Sequence, residues 1–194
     1  MKERGMIFNG EMVRAILDGR KTQTRRPIKW KQTRFTEIGE REDGSKWPWS
    51  EDAEHACDFW HPCPFGAVGD RIWVRETWNK YGGLLTYRAD HDWIDDMRKE
   101  TVCTAKWVPS IHMPRWASRI LLEITDVRVE RLNSISEEDA GREGYPADPS
   151  PYGGKMDKWL WFRQLWDGIY PEQSFKHNPW VWVIEFKRVE GGAA

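Results

Sequence analysis

Residues 9–27 read NGEMVRAILDGRKTQTRRP, and this stretch sets how the chain begins to fold. Asn9 is a good N-cap for a helix over residues 10–18, because apolar side chains follow it at helical spacing. Gly19 can end that helix in a left-handed conformation. The polar residues between Gly19 and Pro27 stop at a residue that cannot continue a ladder of strand hydrogen bonds. They are therefore predicted to form a loop or a short edge strand.

Three later stretches alternate apolar and polar side chains as strands do: residues 71–78, 119–132 and 179–187. The parity of the apolar residues shifts at Thr125-Asp126, which predicts a bulge or bend in the second of these strands. Short helices are predicted from Ser136 to Glu143 and over residues 155–169. Strands separated by short helices, with a parity shift, indicate an α+β chain built on a small mixed β-barrel, not a doubly wound sheet.

Two long stretches lack sustained periodicity and are predicted to be irregular insertions, residues 28–63 and 79–118. The first is rich in charge, Trp, Pro and Gly, and is expected to pack through its aromatic side chains. The second carries a short candidate strand at residues 86–88 and a weak helical pattern at residues 93–99. At 194 residues, the whole chain 1–194 is expected to be one domain that contains both insertions.

Charge and composition narrow the classes of partner. The 30 basic and 31 acidic residues nearly cancel, so no overall field draws the chain to nucleic acid or to a membrane, and any nucleic-acid contact is local. No apolar run is long enough to span a membrane, and three cysteines make no disulfide framework. A cytoplasmic protein without a membrane partner is expected. The local positive run consists of Arg20, Arg25, Arg26, Lys29, Lys31 and Arg34.

Fourteen Trp residues far exceed ordinary usage, and most are expected in the core. Four of them lie where an indole face could instead stack a base beside the basic run: Trp47, Trp49, Trp73 and Trp78.

Lys21 and Thr24 are candidates for chemistry. A hydroxyl becomes a good nucleophile when a neighbouring base takes its proton, and a Lys is such a base only when neutral. Neighbouring arginines and partial burial both lower the pKa of a lysine. The alternative is a solvated basic turn. In a regular strand residues 21 and 24 face opposite sides, so their pairing requires a turn or bulge between them.

A short helix followed by Gly-Arg-Lys-Thr-x-Thr-x-Arg, here Gly19 to Arg26, resembles the signature of the ASCH family, of the PUA-like class, which includes small bacterial N(4)-acetylcytidine amidohydrolases. The resemblance implies a PUA-like fold with Lys21 as proton acceptor, Thr24 as nucleophile and Glu143 as proton donor. It further implies that the site binds RNA, DNA or a modified nucleoside. The residues expected to bind that ligand are Arg20, Thr22, Arg25, Arg26, Arg75, Glu76 and Trp78.

Two more segments carry the resemblance, Pro64 to Arg71 and the end pattern from Ile169 to Phe186. The segment Gly69 to Trp78 is similar to the long ASCH proteins of phages and prophages. Three classes of function remain open: a binding module for nucleic acid or a modified base, a hydrolase acting as an amidohydrolase or ribonuclease, and a phage accessory factor that binds a host protein.

Two further groups compete with these residues. Glu76 is a second candidate carboxylate for the site, although an ion pair with Arg25 or Arg75 is the more ordinary role. His55, Cys57, His61 and Cys63 are able to bind zinc, but their spacing matches no known finger or knuckle. Neither a metal nor a cofactor is predicted.

Overall fold

The computed structural model describes residues 1–29, 37–52, 54, 57–91, 106–148 and 154–190. Three α-helices lie in these residues: α1 (Gly10–Leu17), α2 (Glu137–Arg142) and α3 (Asp157–Ile169). The strands are β1 (Glu3–Ile7), β2 (Gln23–Pro27), β3 (Glu37–Glu40), β4 (Lys46–Asp52), β5 (Cys57–Trp60), β6 (Arg71–Arg75), β7 (Trp78–Tyr81), β8 (Leu84–Tyr87), β9 (Leu121–Arg131) and β10 (Trp180–Arg188). The predicted α+β class is confirmed.

A mixed five-stranded sheet in the order β1-β6-β9-β10-β2 forms the centre of the fold. Strands β1 and β6 run parallel, and the other neighbours are antiparallel. Among the described residues no strand pairing joins β1 to β2, so the barrel is open between these two edges. The stretch after Gly19 is thus an edge strand, as predicted.

Local sequence signals hold where apolar periodicity is strong. The Asn9 side chain accepts a hydrogen bond from the Met12 amide at 2.9 Å, and Gly19 has a φ of +77° that closes α1. In β9 the register with β10 shifts so that Thr125 opposes no residue, which is the predicted bulge. The strand predicted over 71–78 is interrupted after Arg75, and Trp78 begins β7.

Two apolar cores lie on opposite faces of this sheet. The first buries Ile184 and Trp182 of β10 with α1 and β6, and the second buries Val181 and Val183 against α2 and α3. Successive residues of β10 therefore alternate between the cores. Strand β2 is paired with β10 in continuous register, so its side chains alternate between the same two faces.

The first insertion is more regular than its sequence indicates. Strands β3, β4 and β5 form an antiparallel three-stranded sheet, and β7 pairs with β8 in a hairpin in the second insertion. The prediction of irregular structure was wrong for β3, β4, β5 and β7, because these strands leave no clean alternation of apolar side chains; Phe59 is 47% exposed. The candidate strand at residues 86–88 overlaps the end of β8. The weak helical pattern at 93–99 lies outside the described residues. No helix in the described part of the chain combines the length and apolar character that a membrane crossing needs.

Candidate functional site

Lys21 and Glu143 meet although 122 residues separate them in sequence. The Lys21 ammonium donates to the Glu143 carboxylate Oε2 at 2.9 Å and to the Glu143 carbonyl oxygen at 2.8 Å. An isolated β-bridge between the two residues fixes their backbones as well. Gly144, with a φ of +105°, turns the chain away directly after this contact. The structure thus brings together two of the three residues that the resemblance assigned to catalysis.

Arg25 completes a buried charge cluster around Glu143. Its guanidinium donates to Glu143 Oε1 at 3.0 Å and approaches Glu130 and Asp139 at 3.3 and 3.4 Å. The side chains of Arg25 and Lys21 have no exposed surface, and that of Glu143 is 3% exposed. Removing any one of these buried charges leaves the others without compensation, so breaking the cluster is expected to destabilise the fold.

Burial lowers the pKa of Lys21 below its ordinary value. The Glu143 carboxylate opposes this effect, while the positive charges of Arg26 and Arg25 add to it. The direction agrees with the argument made from the sequence, in which burial and neighbouring arginines favour the neutral amine. The Lys21 amine nevertheless donates its hydrogen bonds to Glu143, and among the described residues none joins it to the Thr24 hydroxyl.

Thr24 lies on a different face of the edge strand from Arg25. Its partner in β10 is Ile184, which belongs to the first core, whereas the partner of Arg25 is Val183 in the second. Directly opposed residues of an antiparallel pair point to the same side of the sheet. Thr24 therefore shares the face of Ile184, and β2 shows no bulge between Gln23 and Pro27 that would turn it toward Lys21.

Two cavities adjoin the cluster. Glu143 lines one of about 310 Å³ together with Arg20 and Trp161. The other, which touches Thr24 and Arg25 as well as Glu143, has a volume of only about 20 Å³, and α3 covers it. A volume near that of one water molecule does not admit a nucleoside, and Thr24 is 3% exposed. In this arrangement a nucleoside does not reach Thr24, although Glu143 also lines the larger cavity.

A much larger cleft lies at the open edge of the barrel, between β1 and β2. Its volume is about 660 Å³, within the range usual for small-molecule sites. The lining is mostly apolar and includes aromatic rings from three separate parts of the chain. These lining residues are Gly5, Met6, Ile7, Arg26, Pro27, Ile28, Lys29, Pro48, His61, Pro62, Pro64, Phe65, Arg75, Tyr170 and Trp182.

Two guanidinium groups stand on the walls of this cleft. Arg26 reaches from β2 across the opening to donate to the Ile7 carbonyl oxygen at 2.8 Å, and it lies over the Phe8 ring at 5.4 Å. Arg75, at the end of β6, donates to the carbonyl oxygen of Ile111. Both had been assigned to ligand binding from the sequence, and the structure places both at one cavity.

The other five residues assigned to ligand binding lie outside this cleft. Arg20 donates to the carbonyl oxygens of Gly144 and Tyr145, and Arg25 is enclosed in the charge cluster. Glu76 is buried in an ion pair with Arg119 at 2.9 and 3.0 Å, and not with Arg25 or Arg75 as its alternative role had it; burial raises the pKa of Glu76.

Trp78 is 7% exposed in a small third core beneath the β7–β8 hairpin. The last of the five, Thr22, is exposed, and its backbone amide donates to the Arg142 carbonyl oxygen.

The other walls of the cleft were not predicted from the sequence. Pro48, His61 and Phe65 come from or follow the first insertion, and Tyr170 follows α3. The Trp47 ring packs edge to face on Trp182 at 5.0 Å and so anchors the insertion beside the cleft. The Pro-rich stretch around residues 61–65 was the available signal, since proline fixes a rigid wall without donors.

The described residues do not form a zinc-binding cluster. No group of three or more metal-binding side chains occurs among them, and His55 lies outside them. His61 is hydrogen-bonded through its Nε2 to the Ser50 hydroxyl at 2.8 Å. Cys57 is exposed, whereas Cys63 is buried, and burial raises the pKa of its thiol to about 11.

No family model and no curated protein matches this sequence. Two solved structures are similar to it. The crystal structure of an ASCH domain from Lactobacillus crispatus JV V101 is 14% identical, with a TM-score of 0.47, over 96% of this chain and 79% of that one. Protein EF3133 from Enterococcus faecalis V583, of the family model DUF984, is 10% identical, with a TM-score of 0.46, over 97% and 81%. These identities are too low to carry an activity or a ligand to this chain.

Proposed function

We propose that this chain is an ASCH-type protein that binds a nucleobase, in nucleic acid or in a modified nucleoside, within the cleft between β1 and β2. The observation that carries the proposal is the cleft itself, an apolar cavity of about 660 Å³ with a guanidinium on each side. Residues 1–194 then act as one unit, in which part of the insertion at 28–63 supplies a wall of the site.

The chemistry of the cleft suits a base. Phe65 and Tyr170 supply ring surface, and a planar base gains about 1–3 kcal/mol from stacking on an aromatic side chain. Trp182, 3% exposed, forms part of the floor of the cleft. Arg26 and Arg75 supply the positive charge that a phosphate needs and the donors that a carbonyl of a base accepts. The Arg26 side chain is already held by Ile7 and Phe8, so little conformational freedom is lost on binding.

Binding of labelled single-stranded RNA, DNA and free nucleosides tests this proposal. Arg26→Ala is expected to weaken binding at least tenfold. Arg131→Ala is the matched control, because Arg131 also lies over an aromatic ring, Trp180 at 4.3 Å, and also donates to a carbonyl oxygen, that of Asn178 at 3.0 Å. Equal affinity of the two variants for every ligand, or no binding by the wild type, would refute the cleft as the site.

A second candidate function is hydrolysis of an acylated base, as in the N(4)-acetylcytidine amidohydrolases. The supporting observation is the contact between Lys21 and Glu143, with the lowered pKa of the lysine. In that reaction neutral Lys21 takes the Thr24 proton, Thr24 attacks the acetyl carbonyl and Glu143 protonates the departing amine; water then hydrolyses the acetyl ester on Thr24 and releases acetate. Before a substrate enters, α3 must move away from the 20 Å³ space beside Thr24, and the edge strand must turn Thr24 toward Lys21.

Conversion of acetylcytidine to cytidine tests this second function. Thr24→Val is the informative variant, because it removes the hydroxyl and keeps the shape of a buried side chain, whereas Lys21 and Glu143 also hold the fold. Turnover by the wild type that Thr24→Val abolishes supports the hydrolase; absence of turnover in the wild type eliminates it. The same preparations, incubated with RNA, report ribonuclease activity, and binding of a host protein without any nucleobase binding would favour an accessory role.

A further inference from the structure

We propose that a second surface beside the cleft binds the nucleotides that flank the base, so that the ligand is a single-stranded nucleic acid and not a free nucleoside. This surface, the Trp116 strip, consists of Trp73, Arg75, Lys80, Arg115 and Trp116. The inference rests on the proposed function, since the cleft must first hold a base.

The strip is continuous with the mouth of the cleft. Arg75 lines the cleft, lies over the Trp73 ring at 5.4 Å and is bonded to the Ile111 carbonyl oxygen. Trp73 in turn lies flat across Gly5 of β1, where a Cβ atom would come within 2.6 Å of its ring. From Ile111 two short 3-10 turns lead along the surface to Trp116. A strand leaving the cleft past Arg75 therefore meets this surface next.

Trp116 offers an indole surface to solvent. Its side chain is 62% exposed, and it stands edge to face against Trp78 at 5.5 Å. Trp78 is 7% exposed, so the exposed indole rests on a ring that is fixed in the third core. The Lys80 ammonium lies 5.3 Å from the Trp116 ring. Because Lys80 lies over one face of the Trp116 ring, a base stacks on the face that Lys80 does not cover, and the ammonium is near enough to hold a phosphate.

The charge of the strip favours a polyanion over an apolar protein partner. Within the described residues neither Arg75 nor Lys80 has a carboxylate partner, and Arg115 is paired with Glu3 at 3.0 Å. The chain as a whole carries a net charge of −1, so these two cations are a local feature. Ile111, 60% exposed, adds apolar surface beside them.

The test compares a mononucleotide with single-stranded oligonucleotides of about 4 to 16 nucleotides, as both RNA and DNA, by fluorescence anisotropy. Wild-type affinity is expected to rise from the mononucleotide to the oligonucleotides. Trp116→Ala/Lys80→Ala is expected to lose about 5- to 150-fold in affinity for the oligonucleotides, the range that one stacked base supplies, and to keep wild-type affinity for the mononucleotide. Lys80→Ala alone should reduce the salt dependence of oligonucleotide binding by about 0.7 in log–log slope.

Leu160→Ala/Lys176→Ala is the control, because it removes one exposed apolar side chain and one exposed cation on the α3 side of the molecule. Equal oligonucleotide binding by this control and by Trp116→Ala/Lys80→Ala refutes the proposal that the Trp116 strip binds nucleic acid. Mononucleotide binding without any gain with length overturns it too, and leaves the cleft standing. Absence of mononucleotide and oligonucleotide binding refutes the proposed function itself. Far-ultraviolet circular dichroism confirms that each variant is folded.

Discussion

Removing the Glu143 carboxylate is expected to destabilise the protein strongly. The carboxylate is 3% exposed and accepts hydrogen bonds from Lys21 at 2.9 Å and Arg25 at 3.0 Å. In Glu143→Ala the Lys21 ammonium loses its carboxylate partner, while Arg25 keeps the longer contacts to Glu130 and Asp139. Breaking a buried pair by removing one partner costs about 3–5 kcal/mol. At about 2–4 °C for each kcal/mol in a chain of this size, the melting temperature should fall by roughly 6–20 °C.

Equilibrium unfolding in urea measures this cost, and Glu138→Ala is the matched control. Glu138 lies on α2, is 75% exposed and pairs with Arg142 at 2.5 Å, so its loss should change the free energy of unfolding by less than about 0.5 kcal/mol. The penalty in Glu143→Ala should shrink at alkaline pH, because a neutral Lys21 costs less to bury than a charged one. A loss below about 1 kcal/mol in Glu143→Ala would refute the buried cluster.

Three further predictions concern single side chains. Because burial lowers the pKa of Lys21, the folded protein holds this proton less tightly than the unfolded chain, and the wild type should gain stability relative to Lys21→Met as pH rises toward the ordinary lysine pKa; urea titrations across alkaline pH that show a constant difference would contradict this. At pH 8 iodoacetamide should modify exposed Cys57 but not Cys63, because burial raises the pKa of the Cys63 thiol to about 11. Mass spectrometry of the native protein measures the two modifications, and equal labelling of both thiols would contradict this. Gly144→Ala should cost more than about 1 kcal/mol in thermal unfolding, since a φ of +105° is unfavourable for alanine and its Cβ would lie 3.0 Å from Ala15; an unchanged melting temperature would count against this turn.

The parts of the fold that were predictable have strong apolar periodicity. Helix α1 and strand β10 bury side chains at regular spacing, and the parity shift in β9 places its bulge at Thr125. The contact between Lys21 and Glu143 was expected through the motif, since spacing alone does not join residues 122 positions apart. Whether these residues react is still a prediction.

The cleft was not predictable from the sequence, because tertiary packing forms it. Strands β3 to β5 bury few apolar side chains, so the sequence has no apolar periodicity that predicts these strands or their position at the open edge of the barrel. The closure over Thr24 depends in the same way on where α3 docks. Sequence patterns report which face of an element is apolar, but they do not report which other element covers that face.

Photo-cross-linking tests the central claim, nucleobase binding in the cleft, most directly. A thio-substituted uridine, free or within a short single strand, is irradiated with the wild-type protein, and the modified peptides are identified by mass spectrometry. Adducts are expected on peptides that contain Phe65 or Tyr170, and they should be lost in Arg26→Ala. Adducts confined to other surfaces, or equal yields in wild type and Arg26→Ala, would contradict this claim.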